Sequence, residues 1–309
     1  MRGTWLAASL AFTAGLLILI ALPRFVTDYT VSLLISILSY VVLASAWALF
    51  SGSTRYISLA TAAFFGVGAY LVAIFGADHS FPLVLGLAAL VGFLIAFAVG
   101  LSTLRLTGVY FVIFTFGLSE LIRQVTIWWE INRTKTLGRH VFVDVQSHGI
   151  YYYLLGLAIL TLAAGFLIQR SRLGVALRAI GEDETVANHL GINTTIIKVT
   201  VFAMSAVFMS LTGAIMAPRW SYLDPNIAFN PLVSFLVVIM ALLGGAGSLY
   251  GPLLGAVPLV LLFEFLSARL PYHSGMVLGL SFLVIVYYLP FGVVGALRSA
   301  ETRVRGWLR

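Results

Sequence analysis

The chain has no cysteine and very little charge. Without thiols there can be no disulfide framework, no thiolate nucleophile and no cysteine-ligated metal. Charged residues make up 9% of the 309, well below the roughly 25% of an ordinary soluble domain. The two lysines, Lys135 and Lys198, stand in no Gly-x-x-x-x-Gly-Lys-Ser/Thr loop, so nothing here is built to hold and hydrolyse ATP. Histidines are dispersed, mainly at loop positions, which leaves no nucleophile and base together inside an apolar segment. His140, Asp144 and His148 would line up only on a helix, and nothing around them specifies one, so no metal site is expected. Acidic groups inside apolar runs are limited to Glu120 and Glu264, few for the relay of a proton- or sodium-coupled carrier.

What fills the chain instead is hydrocarbon. Hydrophobic residues reach 61% and the mean hydropathy is +1.05. Apolar runs cover residues 5–22, 31–50, 56–75, 82–102, 108–127, 150–168, 196–217, 227–243, 253–266 and 276–289. Most are long enough, and all too continuous, to be anything but membrane helices; the strands of a membrane β-barrel would alternate. The fold expected is an all-α polytopic transmembrane bundle of about 8 to 10 spans, a single domain over residues 1–309. The first run is longer than a signal-peptide core and no small-x-small cleavage site follows, so a retained span is expected. A net charge of +7 reflects basic loops at one membrane face and requires no nucleic acid.

One polar island, residues 169–198, interrupts this pattern in mid-chain. Arg170, Arg172 and Arg178 at its entrance mark it as cytoplasmic, as does the arginine-bearing tail 296–309. Six runs precede the island and four follow, which puts the N-terminus, the island and the tail on one side. Arg133, Lys135 and Arg139 then fall on the other; if 108–127 and one later run re-enter, about eight crossings remain. Within the island, Gly181 and Gly191 bracket a short helix with Glu182, Asp183 and Glu184 in its first turn, where they complement the helix dipole. Ala187 and Leu190 give it an apolar side that either a partner or the protein's own helices must cover.

Three further groups have two readings each. Phe64, Phe65, Gly66 and Gly68 form either a helix-packing seam or part of a transport path. The same holds for Gly244, Gly245 and Gly247, which continue to Gly251 and Gly255; Pro252 within that repeat favours a kink. Glu120, Arg123 and Gln124 share one helix face, as an interfacial ion pair or a substrate contact.

The stretch Ser171-Arg172-Leu173-Gly174-Val175-Ala176-Leu177-Arg178-Ala179-Ile180-Gly181-Glu182-Asp183-Glu184, continuing to Leu190-Gly191-Ile192-Asn193, resembles the cytoplasmic signature of branched-chain amino acid ABC-importer permeases. The likeness extends through Leu211-Thr212-Gly213-Ala214 and Leu243-Gly244-Gly245-Ala246-Gly247-Ser248. Ala62-Ala63-Phe64-Phe65-Gly66-Val67-Gly68-Ala69-Tyr70 and Leu104-Arg105-Leu106-Thr107-Gly108 resemble the LivM-type subunit more than its LivH-type sister.

The resemblance implies a permease in the bacterial inner membrane that takes up leucine, isoleucine and valine. It implies a second, LivH-type permease, two cytoplasmic ATPase subunits that bind ATP and magnesium, a periplasmic binding protein, and no cofactor on this chain. It makes the segment from Glu182 to Gly191 a coupling helix, with Glu182, Asp183, Glu184, Ala187 and Gly191 as the residues that couple to the ATPase. Two stretches depart from the family: residues 55–61 replace a Gly-Gln-x-Ser-Leu-Gly-His run, and residues 134–140 replace a Thr-Gly-Gly segment. The alternatives are therefore a permease for urea, short amides or another small polar solute, and, in another class, a stand-alone secondary carrier.

Overall fold

The computed structural model describes residues 15, 18–104, 106, 108–269, 276, 279–280 and 283. Most of the runs 5–22 and 276–289, the motif residues Arg105 and Thr107, and the tail 296–309 lie outside the described residues. Helices dominate because a backbone in lipid must satisfy its own hydrogen bonds, and only a helix does so locally. In chain order they are α1 (Asp28–Trp47, prolonged by a π turn over Ala48–Gly52), α2 (Thr61–Phe75), α3 (Phe81–Thr103), α4 (Val109–Thr134) and α5 (Ser147–Arg170). The polar island forms α6 (Arg172–Glu182) and α7 (Glu184–His189). Then come α8 (Thr194–Met216), the short α9 (Pro225–Ala228), α10 (Pro231–Gly244) and α11 (Gly251–Arg269). Two antiparallel two-residue strands, β1 (Arg139–His140) and β2 (Tyr222–Leu223), are the β-structure among the described residues. Among the described residues, seven segments are long and apolar enough to cross a membrane, and α2 is a shorter apolar helix of the same bundle.

The bundle has two distinct ends. At one, the island sits against Ser53 and Leu104: Gly181 approaches the Ser53 carbonyl, and Lys198 Nζ donates to the Leu104 carbonyl at 2.8 Å. At the other, β1 pairs with β2, and His148 Nε2 lies 3.2 Å from the Pro23 carbonyl oxygen. The 26-residue α4 is one unbroken helix from the island end to the hairpin end, long and apolar enough to cross a membrane, which favours a crossing over re-entry for 108–127. One of the basic residues at that end is neutralised by α4: Arg139 of β1 lies 3.3 Å from the buried carboxylate of Glu130 and over the Trp129 ring.

Helix α8 is the central element, packed chiefly against α2 and α3. Small residues set its distance. A Cβ on Gly68 of α2 would overlap the Ser210 carbonyl of α8, and one on Gly213 of α8 would overlap the Phe65 carbonyl of α2. The two backbones therefore touch, as small-residue seams allow in membranes. Ser210 Oγ in turn donates to the Ala88 carbonyl of α3 at 2.8 Å. Outward, α3 turns Leu83, Leu90, Leu94 and Leu101 away from the protein, as a lipid-facing surface requires.

The apolar run 56–75 is not one helix. Residues 55–60 are non-helical, beginning at Arg55 with φ +61°, and α2 starts only at Thr61. Backbone exposed in this way is tolerated at membrane depth only when protein groups satisfy it. Four side chains do: Thr115 accepts from the Leu59 N–H at 3.0 Å, Ser119 and Ser234 donate to the Leu59 carbonyl at 3.2 and 2.9 Å, and Trp47 Nε1 donates to the Ser58 carbonyl at 2.8 Å. Ser234 also accepts from the Ala62 N–H at 2.9 Å. Replacing Ser234 with alanine leaves that buried N–H without its acceptor, so a loss of about 1–3 kcal/mol is expected. A reduced thermal unfolding midpoint of the purified protein would register it, and an unchanged midpoint would refute the role.

The expected kink at Pro252 is absent. Pro252 stands in the first turn of α11, where a proline's missing N–H costs nothing. The glycines around it have another use: a Cβ on Gly244 would overlap the Gly251 carbonyl, and one on Gly255 the Met240 carbonyl, so α10 and α11 close on each other backbone to backbone.

Candidate functional site

The island folds as two helices with a sharp break between them. Gly181, expected to bracket a single helix, lies inside α6, where its missing Cβ leaves room for the Ser53 carbonyl. Asp183 ends α6 and caps α7, its Oδ1 accepting from the N–H groups of Thr185 at 2.8 Å and Val186 at 3.1 Å. The three acidic residues thus divide their roles: Glu182 closes α6, Asp183 is the N-cap, and only Glu184 lies in the first turn of α7. Gly191 follows the C-cap with φ +81°, a left-handed position that suits glycine.

Glu184 turns inward. Its carboxylate takes Lys198 Nζ at 2.5 Å on one oxygen and the Tyr56 hydroxyl at 2.5 Å on the other. Lys198 is fully buried at the start of α8, 4.7 Å above the Tyr56 ring, and completes its shell with the Leu104 carbonyl. Burial pushes the Glu184 carboxyl up, but the hydrogen bonds from Lys198 and Tyr56 outweigh it and hold the group below its ordinary value. One cluster thereby ties α7 to α8, to the α3–α4 connection and to the broken segment before α2. Ala187, expected at the docking face, is instead buried, because the turn that sends Glu184 inward brings the residue three positions on to the same side. The face left open carries Glu182, Asp183, Val186 and Leu190, and Val175 of α6 is exposed as well.

Lys198 and Tyr56 are residues that sequence reasoning missed. The signal for Lys198 was a lysine two residues into the apolar run 196–217, where an unpaired charge is costly. Nothing in the sequence joins Tyr56 to an island 128 residues away.

At the hairpin end a cavity of about 440 Å³ enters the bundle between α1, α10 and α11. Ser36, Ser39 and Tyr40 of α1, Asn226 of α9, Asn230 and Glu264 of α11 supply its polar groups; Leu43, Leu236, Met240 and Val260 line its apolar part. The volume falls within the roughly 300–1,000 Å³ of small-molecule sites. Arg219 stands beside it, donating to Ser32 Oγ at 2.6 Å and Ser36 Oγ at 3.3 Å.

Of the residues with two readings, Phe65 lines this cavity, whereas Phe64 is buried against Phe202 and Gly66 faces the Phe229 ring. Gly68 and Gly244 stand at helix crossings, Gly245 caps α10 with φ +102°, and Gly247 has open space around it. Glu120 and Arg123 pair on α4, Nε to Oε2 at 2.9 Å, with Gln124 adding a bond to the carboxylate at 3.0 Å. Arg123 also bonds Asn226, so the pair reaches the cavity wall through that amide rather than facing the cavity itself. Among the described residues no group of His, Asp and Glu is arranged to hold a metal.

A multi-span bundle with a cavity entering from one end and a polar helical element fixed to the other defines a membrane transport subunit. The chain belongs to the family described as branched-chain amino acid transport system / permease component, whose model matches residues 29–287. Within it, the chain is 28% identical to the LivM permease protein of the high-affinity branched-chain amino acid transport system of Salmonella typhimurium, over 92% of this chain and 75% of that one. It is 26% identical to the BraD permease protein of Pseudomonas aeruginosa, over 83% of this chain and 92% of BraD. The LivH permease protein of Escherichia coli is 30% identical but over only 43% of each chain, so the likeness is of the LivM type. No solved structure matches the chain.

Proposed function

We propose that this chain is one of two permease subunits of an ATP-driven importer that carries leucine, isoleucine and valine across the bacterial inner membrane. The observation that carries the reading is the match to LivM proteins along 92% of the chain. A second, LivH-type permease completes the path, a periplasmic binding protein delivers the amino acid at the hairpin end, and two ATPase chains dock at the island end. The partner ATPases bring ATP and magnesium. Their docking surface on this chain is the open face of α7, where Val186 and Leu190 are more than half exposed beside Glu182 and Asp183. Two helices joined at a sharp turn and bonded to three transmembrane elements form a rigid lever, and rigid-body movement of such a lever is how a docked partner rocks a bundle.

The test is purification of the tagged chain from native membranes, identification of its companions by mass spectrometry, and reconstitution in vesicles. The expected outcome is recovery of a soluble ATPase and a related permease, with leucine accumulation that needs ATP and survives a proton uncoupler. Recovery of this chain alone, with uptake that collapses under the uncoupler, would replace the importer by a secondary carrier.

A further inference from the structure

Arg133 and Lys135 stand at the hairpin end, opposite the island, where basic residues run against the positive-inside tendency. Their neighbour Arg139 is neutralised by Glu130, but among the described residues neither Arg133 nor Lys135 pairs with a carboxylate, and both are exposed. One turn back along α4 from Arg133, the surface opens into an apolar groove of about 270 Å³ between α2 and α4. Val67, Leu71 and Ile74 of α2 recur at spacings of four and three, a stripe two turns and about 10 Å long. Val125, Trp128 and Trp129 of α4 form the other wall. Tyr70, on the same stripe, stacks on Phe229 with ring centroids 5.6 Å apart and gives its hydroxyl to Glu130 at 3.4 Å, so its polar end is used elsewhere. On α4 the change of character is abrupt. Val125 and Trp128 are more than half exposed, and the next turn carries Asn132 and Arg133, each four residues after a tryptophan. Adjacent tryptophans at such a change mark the boundary between hydrocarbon and headgroups.

We propose that this groove holds one acyl chain of an anionic phospholipid from the leaflet at the hairpin end, its phosphate group bound by Arg133 and Lys135. The volume is too small for a whole lipid and suits a segment of one chain. A groove without polar partners offers water nothing to bond, whereas hydrocarbon supplies the contacts that α2 and α4 do not make with each other. Negative charge and hydrocarbon are both called for here, one turn apart, and an anionic lipid carries both in one molecule. A zwitterionic lipid brings its own ammonium against the two cations. A protein surface over the same groove has to supply carboxylates for the cations it buries, because an unpaired buried charge is costly. The inference stands on the membrane bundle alone and does not depend on which solute the chain carries.

The test is native mass spectrometry of the full chain, purified from membranes with its companions, stripped of loosely held lipid and titrated with phosphatidylglycerol or with phosphatidylcholine of the same acyl chains. One phosphatidylglycerol per chain should bind about fivefold more tightly than phosphatidylcholine, or better. Arg133→Gln combined with Lys135→Gln should abolish that preference, and Leu71→Trp, which fills the groove, should weaken binding of both lipids. Val125→Trp serves where Leu71→Trp does not assemble, because Val125 is exposed on the opposite wall. The inference is overturned if the two lipids bind alike to the unmutated chain, if the preference survives loss of both cations, or if filling the groove leaves binding unchanged. It is also overturned if phosphatidylglycerol binds the separated chain but not the assembled complex, the result expected where a protein partner covers the groove.

Discussion

Glu184→Ala is expected to destabilise the protein by about 3–5 kcal/mol, the cost of leaving a buried charge without its partner. The asymmetry of the pair makes this direction the severe one: Lys198 is 2% exposed and Glu184 26%. Removing the carboxylate strands an ammonium that water cannot reach, whereas Lys198→Met leaves a carboxylate at the rim that can turn outward. Glu184→Gln combined with Lys198→Met removes both charges and should recover most of the stability. Transport separates packing from transmission. If the cluster carries movement from a docked ATPase into α8 and the broken segment, the double variant hydrolyses ATP but accumulates little leucine. Normal accumulation in the stable double variant would mean that the cluster holds the island in place and transmits nothing. The pH dependence has a definite sign. Since the folded state holds the Glu184 carboxyl low, its contribution is fully present above the ordinary carboxylate range and is lost only as pH falls through the lowered value. Gly191→Ala is the mild comparison: nothing lies within 4 Å of the added methyl, and the cost is confined to a residue at φ +81°, about 1–2 kcal/mol.

The sequence made the spans legible because hydropathy is additive along a helix, and among the described residues seven of the runs coincide with helices long and apolar enough to cross a membrane and an eighth, 56–75, with the shorter α2. It concealed the break before α2, since Tyr56, Ile57 and Leu59 are as apolar as the helix that follows. The groups that make the break possible, Thr115, Ser119 and Ser234, are ordinary hydroxyls in other runs, and each becomes informative only once the fold brings it to residues 58–62. The island shows the same division. Its acidic start and its terminal glycine are local features and could be read; which acid caps, which faces inward and which stays open depends on Tyr56 and Lys198, distant in sequence. Glu264 was visible as an acid in an apolar run, but the cavity beside it was not.

Gly68→Ala is expected to be the other severe change. The glycine could have belonged to a path, where an added methyl narrows a passage and lowers uptake while the bundle stays intact. Its position gives a different expectation: the methyl would fall inside the Ser210 carbonyl, which is backbone on the central helix and has no rotamer to change. Overpacking of this kind costs about 1–3 kcal/mol and occasionally more. Here the contact is made twice along one crossing, since Gly213 meets the Phe65 carbonyl in the same way, so α2 and α8 cannot part at one point without losing the other. The expected result is poor recovery of the assembled complex and a lower unfolding midpoint, with uptake reduced in proportion to the protein recovered. Gly117→Ala on α4, where no atom lies within 4 Å, controls for the helix change itself and should match the unmutated protein. A stable Gly68→Ala complex with reduced uptake per assembled unit would return Gly68 to the path and show that the α2–α8 crossing yields more readily than touching backbones allow.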